Sequence, residues 1–539
     1  MIIAFMGNDG SGKTTLAKEF VKRLKILGMD VHYRAELDYF LLSHFLRLIG
    51  REKVSRARRL FLAKEGRKQK RFYFKAWLYL VWLDLFLEWL WNKLLKRKSV
   101  VVMDRYAYDF LMSWEWLGYS DELIRWMYLH FPKPDIAFIC DAHPQICYSR
   151  KRKTHNYSLE FYEVQRRRYL DLAGKLKVKI ISTEKSVESS LDEVLEEFRK
   201  FFINKLSDED KVLILLSSPH FSLKLTHRLE INWDSLNWKY IIDMAAKNNV
   251  ELLLCKNLLR HYVEVLPSQV KKKLSEIVEI CEEKRKRIID VMRVILEEFS
   301  KSGIQFIVFK TFPLFEYVPT DIDILVKQSD FEKACEILDK VSKAKQVERA
   351  TLWGIKKGVR FSISEDLIVD LHLKIVWGEK AISNTDIFFR KILKEVDGMR
   401  IFVPSTVDEL KILTSHCIYQ HEYITLSDNY WISSLVESTD DLQINDLDRD
   451  ELSLIAIISI RNFVFDLNSF QLIDKIGKRN HVKIKCSLEQ LIKPIVFIKS
   501  SANILIEPLH FSISLYRRLR FKATGRLPFN ENWLIEYEK

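Results

Sequence analysis

Gly7-Asn8-Asp9-Gly10-Ser11-Gly12-Lys13-Thr14-Thr15 stands between the apolar run Ile2-Ile3-Ala4-Phe5-Met6 and a helical pattern that begins at Leu16. Its spacing is G-x-x-x-x-G-K-[ST], and a strand before and a helix after give that spacing its mechanism. Glycines let successive backbone N–H groups turn inward to hold phosphate oxygens, the lysine adds a point charge, and the next hydroxyl can ligate a divalent cation. Residues Gly7 to Thr15 are therefore the candidate phosphate cradle, with Lys13 as its charge and Thr14 as its metal ligand.

Outward from this loop, residues 1–206 alternate short β-type runs (IIAFMG, DVHYRA, SVVVMDRY, PDIAFICDA, VKIIST) with helical stretches. That alternation predicts five parallel strands covered on both faces. Residues 207–302 read as helical, and 303–405 as a small mixed α/β unit containing IQFIVFK, TDIDILV, VRFSIS and LIVDLHLKIVW. Residues 406–539 read as mainly helical, with 480–539 left unassigned. The expected class is α/β, with a P-loop parallel-sheet domain followed by a mixed α/β domain that has helical flanks.

Asp104-Arg105-Tyr106 closes the third run, at a strand's carboxyl end, where ligands bind in open α/β sheets. An acid there can order Mg²⁺ and its waters, and an arginine can grip an acceptor phosphate. Alone the tripeptide would read as a surface ion pair; beside the glycine loop it reads as machinery. Arg150-Lys151-Arg152 follows the fourth strand, where a basic loop can neutralise a transferring phosphoryl group, with a solvated basic face as the alternative.

GNDGSGKTT, DRY, and PDIAFICDAHPQICYSRKR followed by EFYEVQRRRYLDLA together resemble the thymidylate kinases, over residues 1–206. The resemblance implies an ATP- and Mg²⁺-dependent kinase of a nucleoside monophosphate such as dTMP. It implies that Asp9 and Arg105 handle the acceptor, that Arg150 or Arg152 is the lid arginine, and that Thr14 and Asp104 serve Mg²⁺. After DRY the chain reads AYDFLMSWEWLGYS in place of the family's serine and Ala-Tyr-Gln segment, and the Arg-Glu-Pro segment is reduced to Arg34-Ala35-Glu36. A lipid- or glycan-linked acceptor at a membrane surface is the alternative reading, as is a non-catalytic nucleotide-binding protein.

Asp321-Ile322-Asp323 places two carboxylates on one face of a strand, with Asp370 in LIVDLHLK as the candidate third acid. Converging carboxylates can hold two divalent cations for in-line nucleotidyl transfer. With Phe309-Lys310-Thr311 before the pair and Val369-Asp370-Leu371-His372 after it, the segment resembles an uncharacterised family of DNA polymerase beta-type nucleotidyltransferases, from about Lys211 to Lys478. Lys310 becomes a nucleotide-binding candidate through that likeness, and Thr311 stands where the family has glycine. His372 reads as an acid–base candidate or a core histidine. His416 and His421, five apart, are expected on different helix faces.

The formal charge of +14 favours acidic partners, and nucleotide substrates satisfy it without any motif for specific nucleic-acid binding. Seven scattered cysteines form no C-x-x-C pair, and no signal-peptide pattern precedes the glycine loop, so a reduced, cytoplasmic chain is expected. Residues 74–95 (FKAWLYLVWLDLFLEWLWNKLL) are almost wholly apolar, broken by Asp84, Glu88 and Asn92 at i, i+4 spacing. These predict a helix wet along that stripe and otherwise packed in a core or homodimer interface, with peripheral membrane contact beside the basic stretch Arg51 to Arg71 as the alternative.

Overall fold

The computed structural model describes residues 1–27, 29–35, 41, 70–95, 99–116, 121–152, 157–219, 231–341, 347–350, 356–364, 367–377, 380–421, 423–438, 447–465, 493–494 and 496–497. Glu36, the basic stretch 51–69 and nearly all of 480–539 lie outside them. The described residues form two compact units, Met1–Phe202 and those from Ile203 onward.

The first unit runs β1 (Ile2–Gly7), α1 (Lys13–Ile26), β2 (Val31–Arg34), α2 (Lys70–Leu95), β3 (Val100–Asp104), α3 (Ala107–Trp116), α4 (Glu122–Leu129), β4 (Ile136–Asp141), α5 (Pro144–Lys151), α6 (Leu159–Leu176), β5 (Lys179–Ser182) and α7 (Val187–Ile203). The strands are those expected, all parallel, in the order β2-β3-β1-β4-β5. Helices on both faces leave β1 and β3 wholly buried, which is why they read as unbroken apolar runs. Because β3 and β4 flank β1 on opposite sides, the chain order reverses there, and the carboxyl ends of all three border one crevice.

The polar stripe of α2 does not face water. Asp84, Glu88 and Asn92 are only 3, 3 and 4% exposed, whereas Leu80, Leu83, Trp91 and Leu94 are 45–53% exposed. The reason is local pairing: Asp84 accepts from the Leu41 N–H at 2.7 Å, and Glu88 is paired with Arg34 of β2. Once partnered, a carboxylate can be buried where an unpaired one would be too costly. No helix among the described residues is long and apolar enough to cross a membrane.

The second unit opens with helices α8 (Asp208–Leu216), α9 (Trp238–Lys247), α10 (Glu251–His261) and α11 (Ser268–Lys301). A five-stranded mixed sheet follows, from β6 (Phe306–Phe309), β7 (Asp321–Val326), β8 (Val347–Ala350), β9 (Lys356–Ser364) and β10 (Leu367–His372), in the order β6-β7-β10-β9-β8. α12 (Phe331–Val341) packs in its core with the second half of α11. Beyond the sheet come α13 (Asn384–Arg390), α14 (Thr406–Ser415), a π-helical turn over His416–His421, α15 (Leu426–Ser438) and α16 (Arg449–Phe465).

Candidate active sites

In the first unit, β1 ends at Gly7 and the loop delivers the chain to α1 at Lys13. Gly10 has a φ of +82°, and a Cβ there would stand 2.7 Å from the Cys147 carbonyl, so only glycine fits. Lys13 is buried, its Nζ donating to Asn8 O at 3.2 Å and lying 3.5 Å from Asp9 Oδ1. Burial first, and then the nearby Arg105, hold its amine below the ordinary lysine range. Thr14 and Thr15 are exposed on the first turn of α1. Arg105, with φ +83°, turns back from β3 and pairs with Asp9. Asp104 Oδ2 accepts from Tyr33 Oη at 2.9 Å, while Asp104 Oδ1 and Ser11 Oγ are buried without hydrogen-bond partners among the described residues. Beneath them Asp109 accepts from Gly7 N (3.3 Å), Tyr106 N (2.9 Å) and Tyr169 Oη (2.8 Å), and burial raises its carboxyl pKa. Arg150 donates to Gly10 O at 3.0 Å and Thr183 O at 3.4 Å.

In the second unit, parallel pairing of β7 with β10 sets Asp370 beside Asp323, and antiparallel pairing with β9 sets Arg360 beside Asp370. Arg360 grips both Asp370 oxygens, at 2.8 and 2.9 Å. His372 Nε2 lies 2.7 Å from Asp323 Oδ1, and Lys310 Nζ lies 3.4 Å from Asp323 Oδ2. Lys310 has φ +55°, sits 5.0 Å over the Trp377 ring and is 3.3 Å from His416 Nε2. Burial pulls the Lys310 amine down, but Asp323, Asp321 and Asp370 outweigh it and hold it above the ordinary range. Desolvation, then Asp323, push Asp321 up to about 6. The Thr311 hydroxyl donates to Phe309 O at 2.9 Å and accepts from Asp323 N at 3.3 Å.

Residues 5–194 match the thymidylate kinase family, and residues 234–452 match a family described as uncharacterised nucleotidyltransferases. A probable thymidylate kinase of Archaeoglobus fulgidus is 30% identical over 214 residues, covering 37% of this chain and 93% of its own. Through its first unit, the chain belongs to the thymidylate kinase family. Another probable thymidylate kinase, of Sulfurisphaera tokodaii, is 26% identical over 198 residues, covering 36% of this chain and 93% of its own. Among solved structures, the thymidylate kinase of Ehrlichia chaffeensis covers 37% of this chain and 98% of its own, at 21% identity and a TM-score of 0.26.

The thymidylate kinase unit is thus a kinase, and the chain continues into the region that matches the uncharacterised nucleotidyltransferases. Its expected site residues divide into those that meet and those that stand apart. Lys13, Asp9, Arg105 and the glycine loop form one connected set, and Arg150 joins it through Gly10. Arg152 is exposed at the end of α5, and residues 153–156 beyond it lie outside those described. In the second unit Asp323, Asp370 and His372 converge, with Asp321 at the strand's start. His416 and His421 overturn their expectation, with ring centroids 3.8 Å apart, because a π-helical turn brings i and i+5 into line. Asp109, Tyr33, Arg360 and Trp377 escaped the sequence reading. The acid of AYDFLM, alone in an apolar run, was the one local signal for Asp109.

Proposed function

We propose that the first unit transfers the γ-phosphoryl group of ATP to a nucleoside monophosphate, with dTMP as the leading acceptor. The observation that carries this reading is the contact chain from Lys13 through Asp9 to Arg105 at the carboxyl edge of β1 and β3. Lys13 neutralises the β/γ-phosphates, and Arg105, released from Asp9, takes the acceptor phosphate. The buried, partnerless Asp104 Oδ1 and Ser11 Oγ fit a hydrated Mg²⁺ and a phosphate oxygen, so Asp104 and Thr14 would hold the ion. When bound, Mg²⁺ neutralises and orients the triphosphate. Arg150 and Arg152 would add charge stabilisation from α5.

The second centre supports a further reading, nucleotidyl transfer to a hydroxyl or phosphate acceptor. Asp321, Asp323 and Asp370 would be the metal-binding acids and Lys310 the triphosphate ligand, a reading supported by the strand register that sets Asp370 beside Asp323. As to partners, the exposed leucine and tryptophan stripe of α2 fits pairing with a second copy of the chain.

The test is ADP formation by the full chain with MgATP and dTMP, other nucleoside monophosphates, or no acceptor. Acceptor-stimulated ADP release should fall by about a hundredfold or more in Lys13→Ala. Unchanged turnover in that variant would sink the assignment, and stimulation by no monophosphate would shift the acceptor to a lipid- or glycan-linked phosphate.

A further inference from the structure

We infer that the second centre binds one first-row transition-metal dication, in the range Mn²⁺ to Zn²⁺, on Asp323, Asp370 and His372, in preference to Mg²⁺ on an all-carboxylate set. This goes beyond the nucleotidyltransferase reading, because ion binding at these side chains holds whether or not the centre turns over substrate.

One ligand atom from each of Asp323, Asp370 and His372 lies within 4.8 Å of the other two, a group that does not include Asp321. The three residues are only 1, 2 and 5% exposed. Their convergence follows from register: Asp370 pairs with Asp323 across parallel strands, and His372 lies two residues further on the same face of β10. The imidazole is wedged beside Phe309 and Trp377, with ring centroids 5.0 and 6.1 Å away, so its Nε2 is held toward Asp323. Ligand atoms around an ion at about 2.1 Å stand about 3 Å apart, so the 2.7 Å His372–Asp323 contact needs only a slight opening to admit one.

Charge and orientation agree with this. Lys310 pairs with Asp323 and Arg360 with Asp370, and Asp321 adds a third carboxylate at the start of the same strand as Asp323. Arg360 fixes the orientation of Asp370 through a contact to each carboxylate oxygen, as outer partners of metal ligands do.

An independent observation points to a ligand in the same place. Asp370 and His372 line a small cavity of about 20 Å³, room for a single water or ion, with Trp377, Gln420, Lys357 and Gly358. The Trp377 indole N–H is buried and has no hydrogen-bond partner among the described residues. An indole can only donate, so this group calls for an acceptor oxygen in that wall, such as a metal-bound water or phosphate oxygen. An imidazole ligand favours transition-metal ions over Mg²⁺, which takes oxygen donors.

The test uses the full chain without nucleotide, titrated with Mn²⁺ in excess Mg²⁺ and followed by electron paramagnetic resonance. The expected result is one retained Mn²⁺ per chain whose spin-echo signal carries coupling to a directly bound imidazole nitrogen. His372→Gln should weaken binding on the order of tenfold or more and abolish the nitrogen coupling, while Asp104→Asn in the kinase unit changes neither. Equal displacement by Mg²⁺, or bound Mn²⁺ without nitrogen coupling, overturns the inference. If His372→Gln does not fold, the wild-type spin echo still decides. Nitrogen-coupled Mn²⁺ without nucleotidyl transfer would leave this inference standing and remove the nucleotidyltransferase reading; transfer with Mg²⁺ alone and no nitrogen coupling would do the reverse.

Discussion

At Asp109 one carboxylate satisfies three donors from three parts of the first unit: the end of β1, the turn after β3 and the middle of α6. Arg105 lies 3.8 Å away on the other side, so the same acid also faces the proposed acceptor arginine. An amide in its place keeps one acceptor oxygen and turns its NH₂ toward whatever donors the other oxygen served, and a buried unpaired donor costs about 1–3 kcal/mol. Asp109→Asn is therefore expected to destabilise the kinase unit by about 3 kcal/mol, read as a lower urea midpoint for loss of nucleotide binding. A midpoint equal to that of the wild type would mean that these contacts carry no net stability. Lys310 is a second residue whose backbone is set by its surroundings: its left-handed φ of +55° is held where it meets Trp377, His416 and Asp323.

Among the elements, α2 departs furthest from an ordinary amphipathic helix. Its acidic residues turn inward to Arg34 and the Leu41 N–H, while Leu80, Leu83, Trp91 and Leu94 turn outward. Leu80, Leu83, Trp91 and Leu94 recur at three-, eight- and three-residue steps, which keeps them on neighbouring rows of one side. If that side joins two copies, Leu83→Glu combined with Leu94→Glu should convert a dimer to a monomer in light scattering, with ADP formation as the check on folding. A wild-type monomer at micromolar concentration would rule out the pairing, and binding of the wild type to anionic vesicles would favour the membrane alternative. The π-helical turn at His416–His421 follows a different rule. Its wider winding stacks residues five apart, which no 3.6-residue periodicity would suggest.

For the molecule as a whole, pH dependence follows from buried acids in the second unit. Burial pushes Glu409 on α14 up to about 7, against the opposing effects of Lys394 and the Lys310 backbone N–H. Its folded pKa lies above its unfolded value near 4.5, so the folded chain keeps a proton that the unfolded chain has lost. Its contribution to stability is full below about 4.5 and is lost as pH rises through about 7, and Asp321, pushed up to about 6, acts in the same direction. Glu409→Gln should match the wild type near pH 4 and exceed it by about 3 kcal/mol at pH 8, on the relation of 1.36 kcal/mol per pKa unit. Thermal unfolding at the two pH values checks this; an equal offset at both would show that Glu409 does not titrate in that range.

The glycine loop, the five parallel strands and the Asp321–Asp323 pair were legible in the sequence because each is a local pattern. Spacing within nine residues makes the loop, apolar runs make buried strands, and alternation puts two acids on one face. Tertiary structure alone decided the rest, because the partners are remote along the chain. Gly7 and Asp109 are 102 residues apart, Leu41 and Asp84 are 43 apart, and Asp323 and His372 are 49 apart. Whether a carboxylate faces water, anchors a loop or joins an imidazole in an ion site depends on which donors folding brings within 3 Å or so of it, and a single chain's residue pattern does not encode those distances.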